Sequence, residues 1–164
     1  MEFLDLNKVK NKNSVLFKKT LEWTKTLTPE LDFETGESFT KFIKRNLELK
    51  PPYGVFVFYD PEIKEPVGIA SIVPDDMNVG RENNLDGIWI AGVNVRREFR
   101  NRGYGKMLFE KIGGYLNNFV PLKVNLFASN PYALEIYKKS GFKEIGLNVV
   151  RHNKEQKVLS KSYY

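Results

Sequence analysis

Residues 96–106 read Arg-Arg-Glu-Phe-Arg-Asn-Arg-Gly-Tyr-Gly-Lys, directly after the apolar run Ile88–Val95 and at the mouth of a helical pattern. This order of strand, basic glycine-bearing loop and helix suits one kind of chemistry. The first amides of a helix have no intrahelical acceptor, and the aligned peptide dipoles leave partial positive charge beside them. A phosphate satisfies both if the backbone is reachable, and Gly103 and Gly105 lack the β-carbons that would stand in its way. Arg100, Arg102 and Lys106 add formal charge around the same point. Phosphate or pyrophosphate binding is the expected result.

Two commoner phosphate loops do not fit. The dinucleotide fingerprint needs Gly or Ala three residues after its second glycine, where this chain has Leu108. The Walker loop needs Ser or Thr after Gly-Lys, where this chain has Met107, and Arg100 occupies the place of its first glycine. A second constellation follows at Asn130-Pro131 and Tyr137, closed by Gly141-Phe142. Asn130 suits a helix N-cap, Pro131 the first helical position and Gly141 the residue past the end. Asn130 and Tyr137 are seven residues apart, about two turns, so one ligand can meet both. Each feature also has a plainer reading taken singly. The glycines can make a tight turn, Asn130 can be only a cap, and Tyr137 can be a core tyrosine.

The elements that must position these residues follow from apolar periodicity. Residues 2–9 alternate loosely, as an edge strand would. Residues 14–27 and 37–49 carry helical spacing, the second stopped by Pro51-Pro52. Between them, residues 28–36 are acidic and turn-like. Residues 53–59, 67–73 and Ile88–Val95 are apolar without polar alternation, which predicts strands covered on both faces. A helix is expected over 102–119, a strand over Leu122–Ala128, a short helix over 131–140, and a terminal hairpin from 142–150 and 156–163. No repeat or linker divides this series. It describes one α/β domain over residues 1–164, a twisted mixed sheet with helices on both faces.

Composition narrows the function. The net charge is +6, from 26 Lys and Arg against 20 Asp and Glu. Residues 96–111 alone hold six bases (Arg96, Arg97, Arg100, Arg102, Lys106, Lys111) against Glu98 and Glu110. So concentrated a surplus suits a compact polyanion better than a duplex backbone, and neither a recognition helix nor an RNA-binding aromatic signature accompanies it. There is no cysteine, which excludes a disulfide framework, a thiolate zinc site and a cysteine nucleophile. No run approaches the ~20 apolar residues that cross a bilayer, and the first ten residues lack an apolar leader. A soluble cytoplasmic protein is expected, without metal, membrane or nucleic-acid partner.

Arg100, Gly103 and Gly105 after a strand ending Val93-Asn94-Val95, followed by Asn130, Ala133, Tyr137 and Gly141-Phe142, resemble the two central motifs of the GNAT N-acetyltransferase superfamily. The motifs span residues 88–144, about a third of the chain. The resemblance implies the GNAT fold and transfer of acetyl from acetyl-coenzyme A straight to an amine, without an acyl-enzyme. It implies a V-shaped cleft between strands Ile88–Val95 and Leu122–Ala128. Val93, Asn94 and Val95 would meet the pantetheine and acetyl end. Arg100 and the stretch Asn101, Arg102, Gly103, Tyr104, Gly105, Lys106 would hold the pyrophosphate. Asn130 would touch the coenzyme, and Tyr137 would serve both as a contact and as proton donor to the leaving sulfur, a phenol near pKa 10 being protonated at neutral pH.

The base is less legible. Some relatives carry a glutamate early in the strand before the loop, and here that position is Trp89; others carry one five residues before the motif asparagine, and here that is Asn125. Asp86 is the nearest acid, with Asp75 and Asp76 behind it, and His152, the one histidine, belongs to the terminal turn. The base is left unassigned, and so is the acceptor, a small-molecule or protein amine. A homodimer is among the expected assemblies. A catalytically silent coenzyme A-binding module of the same fold is the alternative reading.

Overall fold

The computed structural model describes residues 1–27 and 37–164, so the turn-like segment expected over 28–36 lies outside the described residues. In chain order the elements are β1 (Glu2–Asp5), α1 (Leu6–Lys12), α2 (Ser14–Lys25), α3 (Phe39–Asn46), β2 (Gly54–Asp60) and β3 (Glu65–Val73). Then come α4 (Val79–Glu82), β4 (Ile88–Val95), α5 (Tyr104–Leu116), β5 (Leu122–Ala128), α6 (Pro131–Lys139), β6 (Lys143–Arg151) and β7 (Lys154–Tyr163). The seven strands form one sheet in the order β1-β2-β3-β4-β5-β7-β6. All neighbours are antiparallel except β4 and β5.

The apolar strands are covered on both faces, as their lack of alternation predicts. Val55, Val57 and Ile69 pack with Leu16, Phe39 and Ile43 of α2 and α3 on one side. Phe56, Phe58 and Ile72, one residue out of phase, pack with Leu108, Ile112 and Tyr137 of α5 and α6 on the other. Successive side chains of a strand point to opposite faces, so both layers draw on the same short runs.

Among the differences from the sequence reading, three have a clear local reason. The strand expected over 2–9 stops at Asp5, whose carboxylate accepts from the Asn7 amide at 3.0 Å and caps α1. Leu6 and Val9 then bury themselves at helical spacing. Helix α5 starts at Tyr104 rather than at residue 102, because Gly103 is left-handed, with φ of +80°. The loop between β3 and β4 contains α4, whose Gly80 and Arg81 amides are held by the Asp75 carboxylate at 2.7 and 3.0 Å.

The splay implied between Ile88–Val95 and Leu122–Ala128 is present in the sheet. Strands β4 and β5 pair only at Ile88↔Val124 and Trp89↔Asn125. Beyond that point β4 stays with β3 as far as Val95, while β5 stays with β7 as far as Ala128. The two strands therefore diverge. On β4 the register shifts so that Gly92 and Val93 together oppose Ala70, a bulge at which Gly92 takes φ of +59°. A β-carbon on Gly92 would lie 2.8 Å from the Phe39 ring, so α3 packs close over the bulge.

Asn125 pins the closed end of the divergence. Its side-chain nitrogen donates to the Asp86 carbonyl at 2.8 Å, and its oxygen accepts from the Ser160 hydroxyl. The residue is wholly buried. Asn125→Ala removes both of these part-buried bonds, and should cost roughly 1–3 kcal/mol in a urea melt at unchanged m-value. A loss below about 0.5 kcal/mol, the scale of ordinary surface substitutions, would mean that the pin is dispensable.

Candidate active site

The gap between β4 and β5 opens into a cleft of about 1150 Å³ that passes through the sheet. Phe109 and Tyr137 line it from the α5–α6 side, and Phe39 and Phe42 from the α3 side. A cleft lined from both faces of the sheet has room for two molecules end to end. A second groove of about 1090 Å³ lies beside α2, but its Glu65 and Glu98 are engaged by Lys19 and Arg96.

Val93, Asn94, Val95, Arg100, Asn101, Gly103, Tyr104, Gly105, Lys106, Asn130 and Tyr137 all line the through-cleft. Arg102 does not; its guanidinium lies 6.0 Å over the Phe99 ring beside the loop. The two motifs, distant in sequence, are thus brought to one cavity by the parallel β4–β5 crossover.

The loop before α5 is shaped by left-handed residues at Asn101 (φ of +61°) and Gly103. Gly103 caps the helix without any side-chain bond, and among the described residues no group accepts from the amides of Tyr104, Gly105 or Lys106. A β-carbon on Gly103 would meet no protein atom within 4 Å, so the space before these amides is open. Gly105 has a different task. A β-carbon there would come 3.0 Å from Ile136 Cδ1, so its bareness lets α6 lie against α5. Arg100 ties the loop to the strand by donating to the Val95 carbonyl at 2.9 Å and to Asn94 Oδ1 at 3.2 Å. Lys106 is 3.8 Å from Glu110, both of them exposed, a pairing too weak to withhold it from a bound anion. The arrangement fits a compact diphosphate.

Asn130 Oδ1 accepts from the Tyr132 and Ala133 amides at 2.9 and 3.4 Å, so the capping role is filled and the side-chain nitrogen is left over. Tyr137 is buried against Phe109, with ring centroids 4.7 Å apart. Burial, and after it the charge of Asp76, push its phenol up to about 12. It is therefore a proton donor throughout the neutral range, and among the described residues its hydroxyl has no hydrogen-bond partner.

The acids sort differently from their order in sequence. Asp86 is exposed and off the cleft. Trp89 is wholly buried, 6.2 Å from the Phe127 ring, with its indole nitrogen unpartnered. Asp76, by contrast, lines the cleft, half-buried. Burial, and then Asp75, push its carboxyl up to about 7 against the pull of Arg151 and Arg45. His152 also lines the cleft, from the β6–β7 turn, with φ of +55°. The sequence ranks Asp86 ahead of Asp76 and puts His152 in the terminal turn; the order reverses because the loop before α4 and the β6–β7 turn carry Asp76 and His152 to the passage. Among the described residues no group of three or more His, Cys, Asp or Glu is placed to hold a metal, and no helix is long and apolar enough to cross a membrane.

The model of the acetyltransferase (GNAT) family matches residues 17–142. No curated protein sequence matches the chain. Solved structures share its fold at low identity. An aminoglycoside 6'-N-acetyltransferase complexed with coenzyme A is 16% identical with a TM-score of 0.71, covering 99% of this chain and 97% of that one. A spermidine N-acetyltransferase chimera from Vibrio cholerae and hSSAT is 17% identical with a TM-score of 0.65, covering 98% and 94%. A phosphinothricin acetyltransferase from Sinorhizobium meliloti in complex with acetyl-coenzyme A is 15% identical with a TM-score of 0.61, covering 99% and 88%.

The position of Asp76 has a consequence for stability. Its carboxyl holds a proton more tightly folded than unfolded, so between its ordinary value of 3.8 and about 7 the folded state binds the extra proton. Stability therefore falls as pH rises through that window and stays lowered above it. Asp76→Asn escapes this loss. Relative to the native protein it should gain about 2 kcal/mol, some 4–8 °C of melting temperature, on going from pH 4 to pH 8, with allowance for water reaching the cleft. A melting-temperature difference that does not grow with pH would contradict the buried carboxylate.

Proposed function

Because the chain belongs to the GNAT acetyltransferase family, we propose that residues 1–164 act as one cytoplasmic enzyme domain, which transfers acetyl from acetyl-coenzyme A directly to an amine in a ternary complex. The observation that carries this reading is the passage through the sheet. It joins the unpartnered amides at the start of α5 to Tyr137, and continues to a part lined by Phe39 and Phe42 of α3.

In this reading the Tyr104, Gly105 and Lys106 amides, with Arg100 and Lys106 near them, take the pyrophosphate. The released edge of β4 at Val93 to Val95 takes the pantetheine arm, as a new strand-like partner for backbone left unpaired by the divergence of β5. The Val93 amide at the bulge donates to the oxyanion. Tyr137 donates to the departing sulfur, and the spare nitrogen of Asn130 steadies the arm. Arg102 acts from beside the loop through its charge.

The acceptor enters from the α3 side. The names of the similar structures supply the probes: an aminoglycoside, spermidine and phosphinothricin, each carrying a primary amine. The decisive experiment is calorimetry with acetyl-coenzyme A on folded protein, followed by thiol release over this panel. Micromolar binding with turnover of at least one amine is expected; absence of heat with both coenzyme A and acetyl-coenzyme A would end the reading.

Two variants divide binding from chemistry. Gly103→Val places a branched side chain in the open space before the amides and in a left-handed backbone, and should weaken acetyl-coenzyme A at least tenfold by calorimetry. Tyr137→Phe keeps the ring in its packing and removes only the donor. Its kcat should fall about 100-fold with little change in coenzyme affinity.

A further inference from the structure

Four acids line the through-cleft: Glu37, Asp75, Asp76 and Glu135. Three have evident structural partners. Glu37 receives two bonds from the Arg45 guanidinium at 2.9 Å, Asp75 holds the Gly80 and Arg81 amides, and Glu135 is 2.6 Å from Lys139. The Asp76 backbone carbonyl accepts from the Val79 amide at 3.0 Å, but among the described residues its carboxylate receives neither hydrogen bond nor ion pair. It is an uncommitted carboxylate at the side of the passage where an acceptor would enter.

We propose that Asp76 is the catalytic base that takes the acceptor's ammonium proton, and that this protonation readies Tyr137 to protonate the leaving sulfur. The inference rests on the acetyl-transfer reading above. The acceptor arrives as R–NH3⁺ and gives one proton to the Asp76 carboxylate. The freed nitrogen lone pair attacks the thioester carbon, forming C–N while the C=O pair moves to oxygen. Collapse breaks C–S, and the sulfur takes the Tyr137 proton. The acylated nitrogen sheds its second proton to the tyrosinate, directly or through water, and Asp76 releases its own to solvent. One ammonium and one thioester thus give one amide, one thiol and one proton.

The electrostatics couple the two groups. The Asp76 charge is one of the two causes that hold the Tyr137 phenol high. Once Asp76 is neutral that cause vanishes, and the phenol becomes a better acid just as a thiolate needs one. A carboxyl near the working pH is also where a general base is most effective. The groups facing Asp76 are Asp75 on its own loop, Arg45 from α3, Arg151 and His152 from the β6–β7 turn, and Tyr137 from α6. Arg45 and Arg151 favour its charge and Asp75 opposes it, so the base titrates within a mixed field.

The test is the pH dependence of thiol release at saturating acetyl-coenzyme A, with the fastest amine of the panel. The native enzyme should gain activity as pH rises through about 7 and level off above it. Asp76→Asn should lose about 100-fold or more at pH 7. The deficit should shrink toward the amine's own pKa, where solvent supplies neutral acceptor, while acetyl-coenzyme A affinity stays unchanged. Asp76→Glu should restore part of the rate, and His152→Gln should keep the limb near pH 7. A native profile in Asp76→Asn, or a limb that moves with His152, overturns the assignment. An acceptor-free arm follows tyrosinate absorbance in alkali, with Tyr137→Phe identifying the signal. Asp76→Asn should move that ionisation to lower pH, and an unmoved ionisation overturns the coupling. Native protein that binds acetyl-coenzyme A yet acetylates no amine refutes the transfer reading and the base with it, whereas the tyrosinate arm judges the Asp76–Tyr137 link separately.

Discussion

The separation of β4 from β5 after two residue pairs is the constraint on which the rest depends. A sheet normally satisfies every interior peptide group by its neighbours, and unpaired backbone in a buried place is costly. Here the ladder is abandoned at Trp89 and Asn125, in the middle of the molecule, with layers packed on both sides. The site is therefore a built vacancy in the hydrogen bonding rather than a surface dent. What can fill it is an extended molecule carrying amide-like groups of its own, with an anion at one end.

The surrounding structure keeps this opening from closing or spreading. Asn125, Asp86 and Ser160 knot the apex. The bulge at Gly92 and Val93 turns the β4 edge while staying bonded to β3, and Phe39 and Phe42 of α3 stack at 5.8 Å above it. On the opposite face Arg100 binds the end of β4 to the loop that starts α5, so the amide cluster and the strand edge move as one body. Gly105 allows α6, and with it Asn130 and Tyr137, to approach that body. The open amides of α5 and the Tyr137 hydroxyl of α6 are thereby gathered on one cleft between the same two strands.

Much of this was legible in the sequence because it rests on local rules. The strand–loop–helix order around Gly103, the Asn130-Pro131 cap and the doubly apolar strands each state their structure within a few residues. The N-terminal boundary was misread because Leu6 and Val9 fit a loose alternation as well as a helical spacing, and only the Asp5 cap decides between them. The bulge was invisible, since Ile-Trp-Ile-Ala-Gly-Val-Asn-Val reads as an unbroken strand until β3 supplies the register. The ranking of Asp76 behind Asp86 has a deeper reason. The place of Asp76 and His152 on the cleft depends on which loops meet over it, and no periodicity encodes that meeting.

Asp75 and Asp76 show why residue type alone could not assign the base. They are neighbours in one loop, chemically identical, and both on the cleft. Asp75 turns its oxygens to the amides of α4 and so becomes part of the scaffold. The Asp76 carboxylate holds no amide, only its backbone carbonyl accepting from Val79, and the charge of Asp75 beside it discourages its ionisation. The scaffold aspartate thus helps make its neighbour reactive, by position and by field. Environment divides two equal carboxyl groups into a cap and a base, in the way paired acids elsewhere are divided into donor and acceptor. The charge of Asp76 itself reaches Tyr137 across the passage and, after burial, holds its phenol high.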